Sequence, residues 1–259
     1  MFQSQVAIVT GGGQGIGREI SLSLARAGAT VVIADIADQA AEKTARDIQA
    51  ETGGKTVVLH ADVGDENSVI KTATAVRELF GAVHALINNS GVAGPMGPTE
   101  SVTLEDWRQA AAVNVDGVFL MCKHFLPLLR EAGQGCIVNI SSVSAKRPLV
   151  ERASYCATKA AVIGLTRTLA LECGKWNIRV NTVCPGAVDG PRQRAILEHA
   201  AKAQNKSLAE ITALKTAASP LGTFVPPSSV ADVVTFLCSP AAAMMTGQDI
   251  NVSAGAWMS

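Results

Sequence analysis

Apolar residues fall along the chain in short unbroken runs, separated by longer stretches in which they recur every three or four positions. The runs Val6 to Thr10, Thr30 to Ala34, Thr56 to Leu59, Ala85 to Ile87, Cys136 to Ile140 and Arg179 to Val183 are rich in β-branched residues and mostly continuous rather than alternating. Such runs predict parallel strands covered on both faces. Between them the spacing predicts helices over about 15–27, 39–51, 66–80, 104–131 and 154–173, with Asp65 and Thr103 placed as caps. Strand and helix alternate throughout, and right-handed crossovers then give an α/β fold, a Rossmann-type doubly wound parallel sheet with helices on both faces.

Past the sixth run the pattern changes. Pro185 to Leu221 carries prolines, glycines and a polar helical insert from about Arg192 to Thr216. A long excursion from a compact domain predicts a substrate lid at about 187–221; a plain surface hairpin is the alternative. Ser229 to Leu237 reads as one more helix and Asp249 to Val252 as a seventh strand, so residues 1–259 are expected to form one catalytic domain.

Charge and composition narrow the function. Lys plus Arg and Asp plus Glu both number 22, so there is no basic surplus to meet a phosphate backbone and nucleic acid is not the expected partner. With 48% hydrophobic residues and a mean hydropathy of +0.25, the chain has material for a core and is too apolar for disorder. No uninterrupted apolar run reaches the roughly 18 residues of a membrane span, and Met1 to Gln5 has no signal-peptide character, so a soluble cytoplasmic protein is expected. The six cysteines include no CxxC pair and the four histidines share no ligand spacing, so no metal is expected and the thiols read as free.

The first strand candidate runs directly into Thr10-Gly11-Gly12-Gly13-Gln14-Gly15-Ile16-Gly17, after which a helix begins. Strand, glycine-rich turn and helix together form a pyrophosphate cradle, in which Gly11, Gln14, Gly15, Ile16 and Gly17 bring backbone N–H groups to the anion. No Gly-Lys-Ser/Thr follows, which excludes a P-loop. Asp35 ends the second strand about 20 residues on, where a carboxylate accepts from ribose hydroxyls and repels a 2′-phosphate. NAD rather than NADP is therefore the expected cofactor. The single tyrosine, Tyr155, precedes Lys159 by four residues, placing both side chains on one helix face. An ammonium near a phenol favours phenolate, which makes Tyr155 a candidate general acid/base.

Over its whole length the chain resembles a short-chain dehydrogenase/reductase of the single-domain, roughly 250-residue type. The resemblance rests on Thr10-Gly11-x-x-x-Gly15-x-Gly17, Asp62-Val63, Asn88-Asn89-Ser90-Gly91, Asn114, Ser141-Ser142, Tyr155-x-x-x-Lys159 and Pro185-Gly186, in that order. It implies that Tyr155 exchanges a proton with the substrate oxygen and that Ser142 hydrogen-bonds the same oxygen. Lys159 then tunes the tyrosine and holds the nicotinamide ribose, and Asn114 binds a water that relays protons. It also implies Asp62 and Val63 at the adenine, Asn89 at the adenosine ribose and Val188 at the nicotinamide amide. Two positions depart from the family: Ser90, where alanine is usual, and Gly190, where a threonine hydroxyl usually touches the cofactor.

The implied reaction interconverts a small secondary alcohol, such as a polyol, sugar or hydroxy acid, with its carbonyl. A noncatalytic NAD-sensing protein and a carbonyl or 3-oxoacyl reductase are the alternatives. The resemblance implies a homotetramer, and Ala157, Ala160, Ala161, Ile163, Gly164, Leu165, Leu169, Ala170 and Leu171, which make helix 154–173 apolar on more than one face, support a partner helix as its cover. By family position, Ser144, Arg152 and Arg192 are the candidates for touching substrate. Lys146, Arg147 and Arg194 share their segments with the acids Glu151 and Asp189. The local positive balance fits loop charges that are merely solvated, or arginines that bind a carboxylate, phosphate or sulfonate of the substrate, whereas Leu149, Val150 and Met96 would equally build an apolar pocket.

Overall fold

The computed structural model describes residues 2–258. Strands β1 (Val6–Thr10), β2 (Thr30–Asp35), β3 (Thr56–His60), β4 (Ala85–Asn88), β5 (Gly135–Ile140), β6 (Ile178–Pro185) and β7 (Asp249–Val252) form one sheet, ordered β3-β2-β1-β4-β5-β6-β7. All six pairings are parallel. The helices are α1 (Gly15–Arg26), α2 (Asp38–Thr52), α3 (Glu66–Phe80), α4 (Leu104–Ala111), α5 (Gly117–Glu131), α6 (Ala153–Cys173), α7 (Pro191–Ala203), α8 (Leu208–Ala217) and α9 (Pro227–Cys238).

The strands lack polar alternation because each face meets its own core. Along β1, Ile8 packs with residues of α3, α5 and α6, while Ala7 and Val9 pack with residues of α1, α2 and α9. On β2, Val32 and Ala34 divide from Val31 and Ile33 in the same way. The period of two survives as a choice between cores rather than between core and water. The edge strands β3 and β7 are only partly buried.

Asp65 and Thr103 cap α3 and α4, accepting from Asn67 N at 3.1 Å and Asp106 N at 3.0 Å. The predicted helix 104–131 is continuous but passes through a π-helical turn, Ala112–Asp116, between α4 and α5. By length and average hydropathy this stretch is able to cross a membrane, although no uninterrupted apolar run reaches that length. Half of its most apolar window is buried inside the fold, where Met121, Phe125, Leu128 and Leu129 pack under the sheet. The polar insert expected at 192–216 divides into α7 and α8. Ser207 starts the second through a reciprocal capping box with Glu210.

Parallel pairing brings the carboxyl ends of the strands to one edge, and the strand order reverses between β1 and β4. A crevice opens at such a reversal. Beside it a buried polar ladder crosses the sheet face. Asn88 Nδ2 donates to Asn139 Oδ1 at 2.8 Å, and Asn139 Nδ2 donates to Thr166 Oγ1 at 2.8 Å. Thr182 Oγ1 also donates to Thr166 Oγ1 at 2.8 Å. These groups tie β4, β5 and β6 to α6, and each is buried. Replacing Asn139 by Ala removes the buried partner that Asn88 and Thr166 share. We expect a loss of about 1–3 kcal/mol in urea unfolding; an unchanged midpoint would show that the ladder contributes nothing.

Candidate active site

The glycine loop between β1 and α1 leaves no room for side chains where it touches its neighbours. A Cβ on Gly17 would overlap the Gly11 carbonyl oxygen, and one on Gly13 would lie 2.7 Å from Ala41 N. Helix α1 has no side-chain N-cap and no acidic residue in its first turn, whereas α3 and α8 are capped by Asp65 and Ser207. Its first N–H groups and the positive end of its dipole face the crevice, which suits an anion. Gly15 has open space where a Cβ would stand, so a pyrophosphate can approach the backbone there. These residues fit a dinucleotide.

Asp35, at the carboxyl end of β2, is buried and accepts from Gly13 N at 2.8 Å and Ala37 N at 2.9 Å. Two amide donors fix the carboxylate at the rim and leave lone pairs for further partners. Asp62 Oδ1 accepts from Gly64 N at 2.9 Å, and Val63 is buried against Gly117 at the start of α5. Asn89 turns inward: its Nδ2 donates to the Thr10 and Gly11 carbonyls, both at 3.0 Å. It therefore braces the glycine loop from below.

Thr10 was legible as part of the motif but not as a junction. Its buried hydroxyl accepts from Asn89 N at 2.9 Å and Ser90 N at 3.0 Å, joining β1 to the loop after β4 across the strand reversal. A polar residue ending an otherwise apolar strand was the available signal.

Tyr155 and Lys159 lie in the first two turns of α6, as their spacing predicts. Lys159 is buried, and its Nζ donates to the Ile140 carbonyl at 2.8 Å. Ser141 Oγ donates to the Lys159 carbonyl at 2.7 Å, so the end of β5 holds this turn of helix at two points. Burial, with the Arg192 guanidinium as second cause, brings the Lys159 ammonium from an ordinary 10.5 down to about 8. Ser142 lies just past β5, with its Oγ accepting from Ser144 N at 3.1 Å. That bond leaves the Ser142 O–H free to donate elsewhere. Ser144 is buried to the same degree as Ser142, to which it gives its amide.

Asn114 occupies the π-helical turn and is buried. Its Oδ1 accepts from Val92 N at 2.8 Å, and its Nδ2 donates to the Val92 carbonyl at 3.0 Å and to Thr158 Oγ1 at 3.1 Å. The wider turn explains how an asparagine sits in the middle of a long helix: its side chain serves as backbone partner to a neighbouring loop. A Cβ on Gly91 would lie 3.1 Å from Asn114 Oδ1 and 3.2 Å from Lys159 Nζ, so both groups converge beneath this glycine.

The segment after β6 frames the other side. Val188 pairs with Val225 in an isolated parallel bridge. Gly190 has φ 145° and ψ −179°, a conformation that is essentially glycine's alone. The departure from threonine thus has a backbone reason: the chain turns sharply there so that Pro191 can begin α7. The turn delivers Arg192 to the Gly91 carbonyl, to which its Nη2 donates at 2.8 Å. Among the described residues no group of three His, Cys, Asp or Glu side chains is placed to hold a metal ion.

A family model described as enoyl-(acyl carrier protein) reductase matches residues 11–256. The chain belongs to the short-chain dehydrogenase/reductase family. D-threitol dehydrogenase of Mycolicibacterium smegmatis is 36% identical over 263 residues, covering 98% of this chain and 93% of that protein. The structure of NAD+-bound xylitol dehydrogenase superposes with a TM-score of 0.92 at 28% identity, covering 97% and 98% of the two chains. That of an actinorhodin polyketide ketoreductase variant with NADPH superposes at 0.93 with 35% identity, covering 99% of each. This short-chain dehydrogenase/reductase is accordingly an oxidoreductase of alcohols and carbonyls whose fold binds a nicotinamide cofactor.

The buried ammonium makes stability depend on pH in a defined direction. With the folded value at about 8 and the unfolded one near 10.5, the penalty of Lys159 is full below pH 8. It is relieved as pH rises from about 8 to 10.5, where the unfolded chain binds the extra proton. We expect the apoprotein to gain on the order of 3 kcal/mol across that window relative to Lys159→Met. Parallel pH dependences of urea unfolding for the two proteins would contradict this.

Proposed function

We propose that this enzyme is an NAD-dependent dehydrogenase of small secondary alcohols, with Tyr155 as its general acid/base. The observation that carries the reading is the convergence of Lys159 and Asn114 under Gly91, with Tyr155 one helical turn before Lys159 and the uncapped end of α1 across the crevice. A noncatalytic NAD sensor has no use for that constellation.

Gly11, Gln14, Gly15, Ile16 and Gly17 would cradle the pyrophosphate, Asp35 would receive the adenosine ribose hydroxyls, and Asp62 and Val63 would border the adenine. Asn89 keeps the loop in shape, and Val188 would hold the nicotinamide amide. When bound, the nicotinamide would supply the acceptor for the hydride, with its electron pair, that leaves the carbinol carbon. Tyr155 takes the hydroxyl proton as the carbonyl forms. Ser142 donates its O–H to the same oxygen and stabilises its partial negative charge. Lys159 spends one N–H on Ile140 and keeps the others for the ribose and for the phenol's field. Asn114 holds the π-helical turn open for a water that returns protons to solvent. The segment 187–221 closes over the substrate.

NAD is preferred because two backbone amides hold the Asp35 carboxyl group at the rim, where it would disfavour a 2′-phosphate. The basic side chains Arg18 and Lys43 of α1 and α2 are engaged by Asp47 at 3.0 and 3.3 Å. The protein is proposed to work as a homotetramer in the cytoplasm, where its free thiols stay reduced. Of the α6 residues expected to need cover, Ile163, Leu169 and Ala170 are buried in the subunit, while Ala157, Ala160, Ala161, Gly164 and Leu171 are exposed and fit a partner helix.

Tyr155→Phe should lower turnover at least about a hundredfold while retaining NAD binding; near-normal turnover would remove the mechanism. Asp35→Ala should weaken NAD and narrow its advantage over NADP by about tenfold or more. A wild-type preference for NADP would overturn the cofactor assignment.

A further inference from the structure

Five basic side chains surround the mouth of the crevice, and the structure separates them. Lys146 is paired with Asp249 at 2.6 Å and Arg194 with Glu198 at 3.1 Å, so both are compensated. Arg147 reaches away to the Ala256 carbonyl at 3.4 Å. Arg152 and Arg192 remain, and among the described residues neither forms an ion pair.

These two come from different elements to one strip of backbone. Arg192, in the first turn of α7, donates to the Gly91 carbonyl at 2.8 Å, and Arg152, ahead of α6, donates to the Ala93 carbonyl at 3.1 Å. The Arg152 guanidinium also lies over the Tyr155 ring, 4.9 Å from its centre, and its Nε is buried without a hydrogen-bond partner. A guanidinium has five N–H donors, and most of these are left unused. Arg152 is half-buried and Arg192 exposed; neither has a counter-charge, and with Lys159 beside them they make the crevice mouth locally positive in an otherwise neutral protein. The apolar candidates Leu149, Val150 and Met96 stand exposed, and the sulfur of Met96 faces Arg152 Nη1 at 3.5 Å.

We propose that Arg152 and Arg192 form a two-armed clamp for the carboxylate of a hydroxy acid, whose secondary hydroxyl is thereby presented to Tyr155 and Ser142. The proposal rests on the dehydrogenase reading above and narrows its substrate class. The carboxylate supplies the missing negative charge, and the guanidinium fork matches its two oxygens. Because Arg192 stands on α7, closing the clamp also draws in the proposed lid, so charge recognition and closure become one event. The cofactor's pyrophosphate is the other oxyanion within the crevice, and the test must separate the two.

The test measures kcat/KM with NAD for matched pairs that differ in the carboxylate: butan-2-ol against 3-hydroxybutyrate, and cyclohexanol against 4-hydroxycyclohexanecarboxylate. Arg152→Gln, Arg192→Gln and Arg192→Lys are compared with wild type, and NAD affinity is titrated calorimetrically without substrate. Using the acid-to-neutral ratio cancels any effect of Arg152 on the tyrosine itself. The clamp requires wild type to favour the acid in at least one pair, and each glutamine variant to lower that ratio by about tenfold to a hundredfold. Arg192→Lys should recover part of the loss, since charge is kept and the fork is not. Preference for the neutral member throughout, or ratios unchanged in the variants, overturns the clamp while leaving the dehydrogenase standing. If Arg192→Gln weakens NAD about tenfold or more with the ratio unchanged, the arginine serves the pyrophosphate and the clamp is wrong. Absence of oxidation of every alcohol and acid removes the dehydrogenase reading and the clamp with it.

Discussion

The site is organised around one buried ammonium. Lys159 has little solvent to stabilise its charge, so the fold must supply polar partners, and the Ile140 carbonyl is the one it supplies at the shortest reach. That bond fixes how deep α6 lies against the end of β5 and hence where Tyr155, one turn earlier, stands relative to Ser142. Ser141 reinforces the docking from the opposite direction. Moving the helix by a turn would leave a cation in the interior without an acceptor, which is far costlier than losing an apolar contact. A Cβ on Gly91 would crowd both the Lys159 ammonium and the Asn114 amide, so this position favours glycine.

Most of the architecture was legible from periodicity. The predicted strand positions each contain an observed strand, with boundaries shifted by one or two residues where a polar terminal residue such as Asp35 or Asn88 continues the pairing. The third helix and the seventh strand match their predicted limits. What the pattern did not disclose was local geometry. Asn114 reads as a poor helix former, but nothing in residue spacing distinguishes a tolerated asparagine from one that opens a π-helical turn. The break between α7 and α8 hides for a related reason, since Asn205 and Ser207 are too few to interrupt a polar helical pattern.

The candidate residues behaved unequally. The glycines, Asp35, Ser142, Tyr155 and Lys159 gather at the strand reversal, because motif order along the chain becomes proximity once parallel strands share one edge. Asn89 lies close by but faces inward, toward Thr10 and Gly11. Side-chain direction depends on contacts between segments 78 or more residues apart, which spacing cannot encode. Gly190 is the converse: read as a missing hydroxyl, it is better understood as a backbone requirement. The sorting of five clustered cations into three engaged and two available likewise depended on distant partners, among them Asp249 and Ala256.

The Thr10 hydroxyl, held by two successive amides from the far side of the strand reversal, makes a rigid joint between the half of the domain that cradles the dinucleotide and the half that carries the tyrosine and lysine. Neither half can slide without breaking both bonds together. Variation in the shape or size of what the crevice accepts is therefore displaced outward, onto segments that hang from the sheet instead of forming it. A lineage changing its preferences would find its tolerant positions beyond β6, with the joint itself left alone.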